Sequence, residues 1–267
     1  MTRKPSVLIT GSSTGIGATY ADRFARRGHD LVLVARDKAR MEILAARLRD
    51  EAGVGVDVLQ ADLTDPRGLV EVEGRLRDDR DVGILINNAG AGLGGGFVEQ
   101  TGGAVEQLIA LNATAVARLA NAVAPRFVAA GGGAIVNISS VVGLAPELGM
   151  AVYGATKAFV TFFSQGLSLE LGPKGVYVQA VLPAATRTEL WDRASIDANR
   201  IPPMMEVGEL VDAALVGFDR REAVTIPPLP NAGQWDAYQL ARQAMLPGFG
   251  NAHAAERYRL LNGLSGG

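Results

Sequence analysis

The stretch that decides the fold is Ser6-Val7-Leu8-Ile9-Thr10-Gly11-Ser12-Ser13-Thr14-Gly15-Ile16-Gly17. Its opening is short, apolar and not alternating, as expected of a strand buried on both faces. The glycines that follow permit a sharp turn and close approach of another group to the backbone. From Ile16 the pattern becomes helical. The unpaired N–H groups of a helix start, together with its dipole, favour an anion such as a pyrophosphate. An ordinary Gly/Ser turn is the competing reading of this loop.

The same alternation continues along the chain. Leu31–Ala35, Val54–Leu59, Ile84–Asn87, Ala134–Ser139 and Val176–Leu182 read as further buried strands. Between them, Ile16–Gly28, Lys38–Ala52, Pro66–Asp78, Gly103–Ala130 and Ala151–Gly172 read as helices. Asp65-Pro66 supplies an N-cap followed by proline at the first helical position. Strand–helix alternation of this kind predicts an α/β fold, a doubly wound parallel sheet with right-handed crossovers and helices on both faces. Ligands then bind beyond the carboxyl ends of the strands. After Thr188 the pattern loosens: helices at Thr188–Asn199 and Val207–Asp219, a strand at Ala223–Ile226, a break at Pro227-Pro228-Leu229-Pro230, and a helix around Trp235–Met245. The expectation is one domain over 1–267, with 188–230 as a substrate lid and 231–267 as a C-terminal extension.

Composition narrows the function. A formal net charge of -2 gives no reason to expect nucleic acid or an anionic membrane as partner. With no cysteine, disulfides, thiolate metal sites and a cysteine nucleophile are excluded. The run Val7-Leu8-Ile9 falls short of the ~7–15 residues of a signal-peptide core. No stretch reads as approaching the ~20 apolar residues that span a bilayer. The expected location is the cytoplasm. The two histidines, His29 and His253, read as surface residues, and no metal is expected.

Chemistry-bearing residues fall just after the strands. Tyr153-Gly154-Ala155-Thr156-Lys157 opens a helix, so Tyr153 and Lys157, at i and i+4, share a face. A nearby ammonium favours a phenolate and pulls its pKa down from ~10. Such a pair can exchange a proton with a carbonyl or hydroxyl oxygen. Ile135-Val136-Asn137-Ile138-Ser139-Ser140 is a strand ending in two hydroxyls; Ser139 reads as a backbone-capping residue facing another way. Asn112 lies mid-helix, where asparagine is a middling helix former.

Together these segments resemble the short-chain dehydrogenases/reductases over about residues 5 to 190. The loop has that family's T-G-x-x-x-G-x-G spacing, Asn87-Asn88-Ala89-Gly90 matches its N-N-A-G, and Ser140 precedes Tyr153 at its serine-to-tyrosine spacing. The resemblance implies a Rossmann-like sheet of about seven strands in the order 3-2-1-4-5-6-7. It implies a catalytic tetrad of Asn112, Ser140, Tyr153 and Lys157. Ser140 would orient the substrate oxygen, Tyr153 would exchange the proton, and Lys157 would hold the ribose and tune the tyrosine. Asn112 would anchor a water of a proton relay. Cofactor-binding positions would be Gly11, Ser13, Thr14, Gly15, Ile16, Gly17, Arg36, Asp62, Leu63, Asn88, Ala89, Gly90, Tyr153, Lys157, Pro183, Thr186 and Thr188. In Leu182-Pro183-Ala184-Ala185-Thr186-Arg187-Thr188, Ala184 stands where the family usually has glycine, and Thr188 is preferred over Thr186 for its distance from Pro183.

At the end of the second strand no acid occupies 34 to 36, where a carboxylate would accept from a ribose 2′-hydroxyl. Arg36 offers a planar fork to a 2′-phosphate instead. NADP(H) is therefore expected, with NAD(H) left open by the neighbouring Asp37. The substrate would be a small, apolar ketone, aldehyde or secondary alcohol, met by the mostly apolar Val141–Met150 and by Leu190, Trp191, Met204 and Met205. Trp235, Tyr238 and Met245 read equally as a cover for the core or an interface. The family resemblance also implies a homodimer or homotetramer through 103–130 and 151–172, with Ala113, Ala115, Ala117, Ala120 and Ala122 allowing close approach. Two other classes stay open: a non-catalytic NADP(H) sensor, which would not need Tyr153, and an epimerase or dehydratase that recycles its cofactor in place.

Overall fold

The computed structural model describes residues 4–194 and 203–259. It divides into two compact units, Met1–Pro228 and Leu229–Gly267, separated within the Pro227–Pro230 run. The first unit holds β1 (Ser6–Thr10), α1 (Gly15–Arg26), β2 (Leu31–Ala35), α2 (Lys38–Ala52), β3 (Val56–Gln60), α3 (Pro66–Asp78) and β4 (Val82–Asn87). Then come α4 (Gly102–Ile109), α5 (Val116–Ala129), β5 (Gly133–Ile138), α6 (Ala151–Leu171), β6 (Val176–Val181), α7 (Leu190–Arg193), α8 (Val207–Asp219) and β7 (Val224–Thr225). The second unit contains α9 (Ala232–Gln243), on which Trp235 stacks against Tyr238 with ring centroids 5.4 Å apart.

The strands form one parallel sheet in the order β3-β2-β1-β4-β5-β6-β7, as the alternation and the family resemblance lead one to expect. Every residue of β1 and β2 is buried, because each strand serves two cores. Successive side chains point to opposite faces. Val7 and Ile9 join Leu31, Leu33, Ile84 and Ile86 under α1, α2 and α8. Leu8 joins Val32, Val34, Leu85 and Ile135 under α3 and α5. The order reverses between β1 and β4, which opens a crevice beyond their carboxyl ends.

Caps fix the helix starts around that crevice. Asp65 accepts from Arg67 N at 2.9 Å with Pro66 at the first helical position. Asp37 caps α2, accepting from Arg40 N at 3.0 Å.

Several expectations need correction. The helix expected over Gly103–Ala130 is interrupted: Ala110–Ala115 widen into a π-helical turn between α4 and α5. Such turns displace one residue from the α-helical register and are frequent at functional sites. By length and composition the stretch Gly102–Ala129, in which an 18-residue window reaches a mean hydropathy of 1.3, is apolar enough to cross a bilayer, contrary to the sequence reading. Leu119, Val123 and Phe127 show why it is apolar, since they fill the core against the sheet. Ala115, Ala120 and Ala122 lie in the same core, so they are unavailable for approach to another subunit. His29 is half-buried, edge-on to Phe24 with Nδ1 2.8 Å from Pro5 O, and not simply on the surface. Of the helix expected over Thr188–Asn199, the described part is α7; residues 195–199 lie outside the described residues. Within 188–230, α8 places Leu210, Val211, Ala214 and Leu215 in the core.

Candidate active site

The crevice is built from the loops after β1, β4, β5 and β6. Gly11 has φ +66, and a Cβ there would stand 2.8 Å from Ala89 Cα. A Cβ on Gly17 would run into Gly11 O and come within 2.5 Å of Asn88 Nδ2. Only glycine lets the loop, the N-terminus of α1 and the Asn88 segment close together. Thr14, the N-cap of α1, makes no side-chain capping bond, which leaves the first N–H groups of the helix for an anion. Ser13 and Gly15 complete this lip, while Ile16 packs against the core. The residues present therefore fit a pyrophosphate.

Thr10 holds the loop to the neighbouring strand. Its Oγ1 accepts from the backbone N–H groups of Asn88 and Ala89, each at 3.0 Å, and stands 3.3 Å from Ile86 O, to which it donates. The Asn88 side chain donates to Thr10 O at 2.9 Å and Gly11 O at 3.2 Å. Asn88 thus braces the loop with its side chain. Gly90 continues to the proton-handling residues: a Cβ there would lie 3.3 Å from Asn112 Oδ1 and 3.4 Å from Lys157 Nζ.

Asn112, fully buried in the π-helical turn, spans two elements. Its Oδ1 accepts from Ala91 N, and its Nδ2 donates to Ala91 O, both at 2.9 Å. Nδ2 also lies 3.2 Å from Thr156 Oγ1, which donates to Tyr153 O at 2.7 Å. Lys157 Nζ donates to Ile138 O at 3.0 Å and lies 5.7 Å from the centroid of the Tyr153 ring. Ser140 follows β5 in an extended conformation, its Oγ accepting from Val142 N at 3.2 Å and 3.3 Å from Pro183 O. It also lies near enough to the Tyr153 hydroxyl to lower that group's pKa. Ser139 points elsewhere, its Oγ donating to Lys157 O at 2.7 Å and paired with Thr161 Oγ1. The four tetrad positions are therefore neighbours, brought together from β5, α6 and the π-helical turn.

Electrostatically the pair differs from the sequence argument, which expects the ammonium to pull the phenol down. Tyr153 is half-buried as a whole, but its hydroxyl lies deep among protein atoms. That burial pushes it up to about 12, against the lowering effect of the nearby Ser140 hydroxyl. Burial also pulls Lys157 down to about 8, which weakens the cation itself. In the chain alone, desolvation outweighs the lysine's attraction for a phenolate.

At the adenosine end, Arg36 is 73% exposed and 4.0 Å from Asp62 Oδ2. Asp62 is held below the usual carboxylate range: burial, which alone would raise it, is outweighed by bonds from Thr64 N and Oγ1 and by the charge of Arg36. Leu63 is buried, its side chain in the core, so only its backbone can face the crevice. Pro183 is buried, and its carbonyl accepts from Val141 N at 2.9 Å. The two threonines separate clearly. Thr186 is buried, with its Oγ1 donating to Ala184 O at 3.0 Å. Thr188 Cγ2 would lie 3.3 Å from a Cβ on Gly15, beside the phosphate loop.

The segment that carries them is pinned. Met205 N donates to Ala185 O at 2.9 Å, Arg187 N donates to Met205 O at 3.0 Å, and Trp191 Nε1 donates to Thr186 O at 2.7 Å. Leu190 and Ala194 stand against Gly92 in the loop after β4. Sequence reasoning passed over Thr10 and Thr156, although each sits inside a motif it had recognised.

Residues 5–199 match the short chain dehydrogenase family. The bovine (Bos taurus) very-long-chain 3-oxoacyl-CoA reductase is 33% identical over 199 residues, which is 70% of this chain and 64% of that protein. The chain thus spans less than two thirds of such relatives, 60% for the protein from Anas platyrhynchos. A short-chain dehydrogenase from Sphingobium yanoikuyae, solved in complex with NADPH, is 69% identical with a TM-score of 0.94, covering 96% of this chain and 100% of that one. The bulky-bulky ketone specific alcohol dehydrogenase from Comamonas testosteroni is 61% identical with a TM-score of 0.91, covering 97% of this chain and 100% of that one. The glycine cradle, the serine–tyrosine–lysine arrangement and a match across most of the chain agree, and the chain belongs to the short-chain dehydrogenase family.

Proposed function

We propose that this protein is an NADP(H)-dependent oxidoreductase acting on bulky, apolar ketones or aldehydes and the matching secondary alcohols, with Tyr153 as general acid and base. The observation that carries the reading is the convergence of Asn112, Ser140, Tyr153 and Lys157 at the carboxyl edge of the sheet, next to a loop that fits a pyrophosphate. Bound NADP(H) would supply or accept the hydride at the carbonyl carbon. The chain's own groups do the rest. The Ser140 hydroxyl donates to the substrate oxygen and keeps it within reach of Tyr153. The Tyr153 hydroxyl gives its proton to that oxygen in reduction and takes it back in oxidation. A phenol kept neutral by burial is poised to act as the acid. Lys157, fixed by Ile138 O, would reach the cofactor ribose and would reprotonate the tyrosine through a water near Asn112. The phosphate loop, Gly90 and Thr188 would hold the cofactor, and Arg36 would receive its 2′-phosphate.

The apolar character of Val141–Met150, with Leu190 and Trp191 flanking the site, supports a large apolar substrate, as does the name of the Comamonas testosteroni relative. The reading includes a cytoplasmic enzyme, which cell fractionation checks. It also includes a homodimer or homotetramer. Phe159, Phe162 and Leu169 of α6 and Ile109 of α4 are exposed, and a second copy would cover them. Sedimentation showing only monomer would remove that part.

The test is titration with NADPH and NADH, followed by reduction of a bulky aryl ketone. NADPH should bind more tightly and be oxidised. Tyr153→Phe should lose about 10²–10⁴-fold in turnover while binding NADPH as before. Undiminished turnover in that variant would refute the role of the tyrosine.

A further inference from the structure

The end of β2 is a corner of mixed charge. Arg36, Lys38 and Arg40 stand there with Asp37, Asp62 and Glu189. Arg40, in the first turn of α2, directs Nη1 to both carboxylate oxygens of Glu189 at 2.9 Å, and its Nε lies 3.4 Å from Asp37. Glu189 comes from the far end of the sequence. It directly follows Thr188, which lies against Gly15 of the phosphate loop. Arg40 therefore reaches from the start of α2, just past the end of β2, to the residue next to the one that lies against the phosphate loop, on the side where a 2′-phosphate at Arg36 would sit.

The form of the pair matters. One guanidinium nitrogen serves both oxygens, so this is not the two-nitrogen fork that makes arginine–carboxylate pairs strong. Both side chains are about half exposed, 47% for Arg40 and 46% for Glu189. Exposed pairs contribute little, so this one is readily exchanged for a better anion. A phosphate monoester carries more charge than a carboxylate and offers more acceptor oxygens. Arg36, at 73% exposure and 4.0 Å from Asp62, is too loosely held to account alone for a well-defined phosphate site.

We propose that Arg40 is a second cation for the 2′-phosphate of NADP(H), and that Glu189 competes with that phosphate for it. The proposal rests on the NADP(H) preference given above and deepens it. Arg40 sets how strongly NADPH is preferred over NADH, and Glu189 limits that preference. NADH, lacking the phosphate, leaves the Arg40–Glu189 pair intact.

The experiment measures dissociation constants for NADPH and NADH by nicotinamide fluorescence in the wild type, Arg36→Met, Arg40→Met, Glu189→Gln and the Arg40→Met/Glu189→Gln double variant. Thermal unfolding of each chain without cofactor verifies that it folds. Arg40→Met should weaken NADPH about tenfold, the scale of one charge-assisted hydrogen bond, and leave NADH unchanged. Glu189→Gln should tighten NADPH about threefold, with NADH unchanged, and this gain should vanish in the double variant. Equal changes for both cofactors, no change in Arg40→Met, or weaker NADPH binding in Glu189→Gln would each overturn the proposal. A wild type without NADPH preference would overturn the cofactor reading itself. A preference lost in Arg36→Met but untouched in Arg40→Met would overturn only the role of Arg40.

Discussion

Thr10→Val is the most informative single substitution for the architecture of the site. Valine matches threonine in shape, so the change removes the hydroxyl and little else. Two backbone N–H groups, those of Asn88 and Ala89, then lose their acceptor. An unsatisfied buried donor costs about 1–3 kcal/mol. Thr10 itself is 1% exposed, whereas the Asn88–Ala89 segment borders the crevice, where water can recover part of the loss. A destabilisation of about 2–4 kcal/mol follows from those two donors. Thr10→Ser is the control: it keeps the acceptor and removes one methyl, at a cost of about 0.8 kcal/mol. At about 2–4 °C per kcal/mol for a domain of this size, thermal melts separate the two variants clearly. NADPH affinity should fall in Thr10→Val as well, because the same segment positions Gly90 beside Asn112 and Lys157. If Thr10→Val is no less stable than Thr10→Ser, the hydroxyl is not what ties β4 to the phosphate loop, and this account of the brace is wrong.

Three further outcomes are expected. Gly17→Ala should abolish cofactor binding while the chain still folds, since a methyl there collides with Gly11 O and Asn88; isothermal titration with NADPH reads this, and wild-type affinity would contradict the cradle. Asp37→Ala should cost about 0.5–2 kcal/mol of stability through loss of the α2 cap and leave NADH affinity unchanged, whereas a selective loss of NADH binding would make Asp37 a ribose acceptor. For Lys157, whose folded pKa lies below its unfolded value of 10.5, the unfolded chain binds the extra proton between about pH 8 and 10.5. This group therefore makes the chain without cofactor more stable as pH rises through that window, and below about pH 8 its burial cost is fully present. The difference in urea stability between wild type and Lys157→Met should shift in the wild type's favour across the window, and a flat difference would refute the burial of the ammonium.

Much of the site was readable because its motifs obey short-range geometry. A strand buried on both faces must be apolar throughout, and β1 and β2 read that way. Tyr153 and Lys157 share a face because a helix repeats every ~3.6 residues. Asn112 was legible as a candidate, but the π-helical turn that aims it at Ala91 and Thr156 was not, since no residue type marks one extra residue per turn. The alanines of α5 illustrate the limit from another side. Spacing along a helix shows which residues share a face, but it does not show whether that face meets its own sheet or a second chain.

By itself the sequence determined the α/β alternation, the glycine loop and the shared face of Tyr153 and Lys157, because strand periodicity, glycine's backbone freedom and helical spacing are local constraints; the strand order and the places of Asn112 and Ser140 followed only from the family resemblance. The tertiary structure decided that Thr10 and Asn88 lock the loop to β4, and that Thr188 and not Thr186 lies against it. It also decided that burial outweighs charge attraction at Tyr153, and that Arg40 meets Glu189. These depend on desolvation and on contacts between residues far apart in the chain, such as the 149-residue separation of Arg40 from Glu189. Packing density and long-range approach are properties of the folded whole, and no local pattern of residues encodes them.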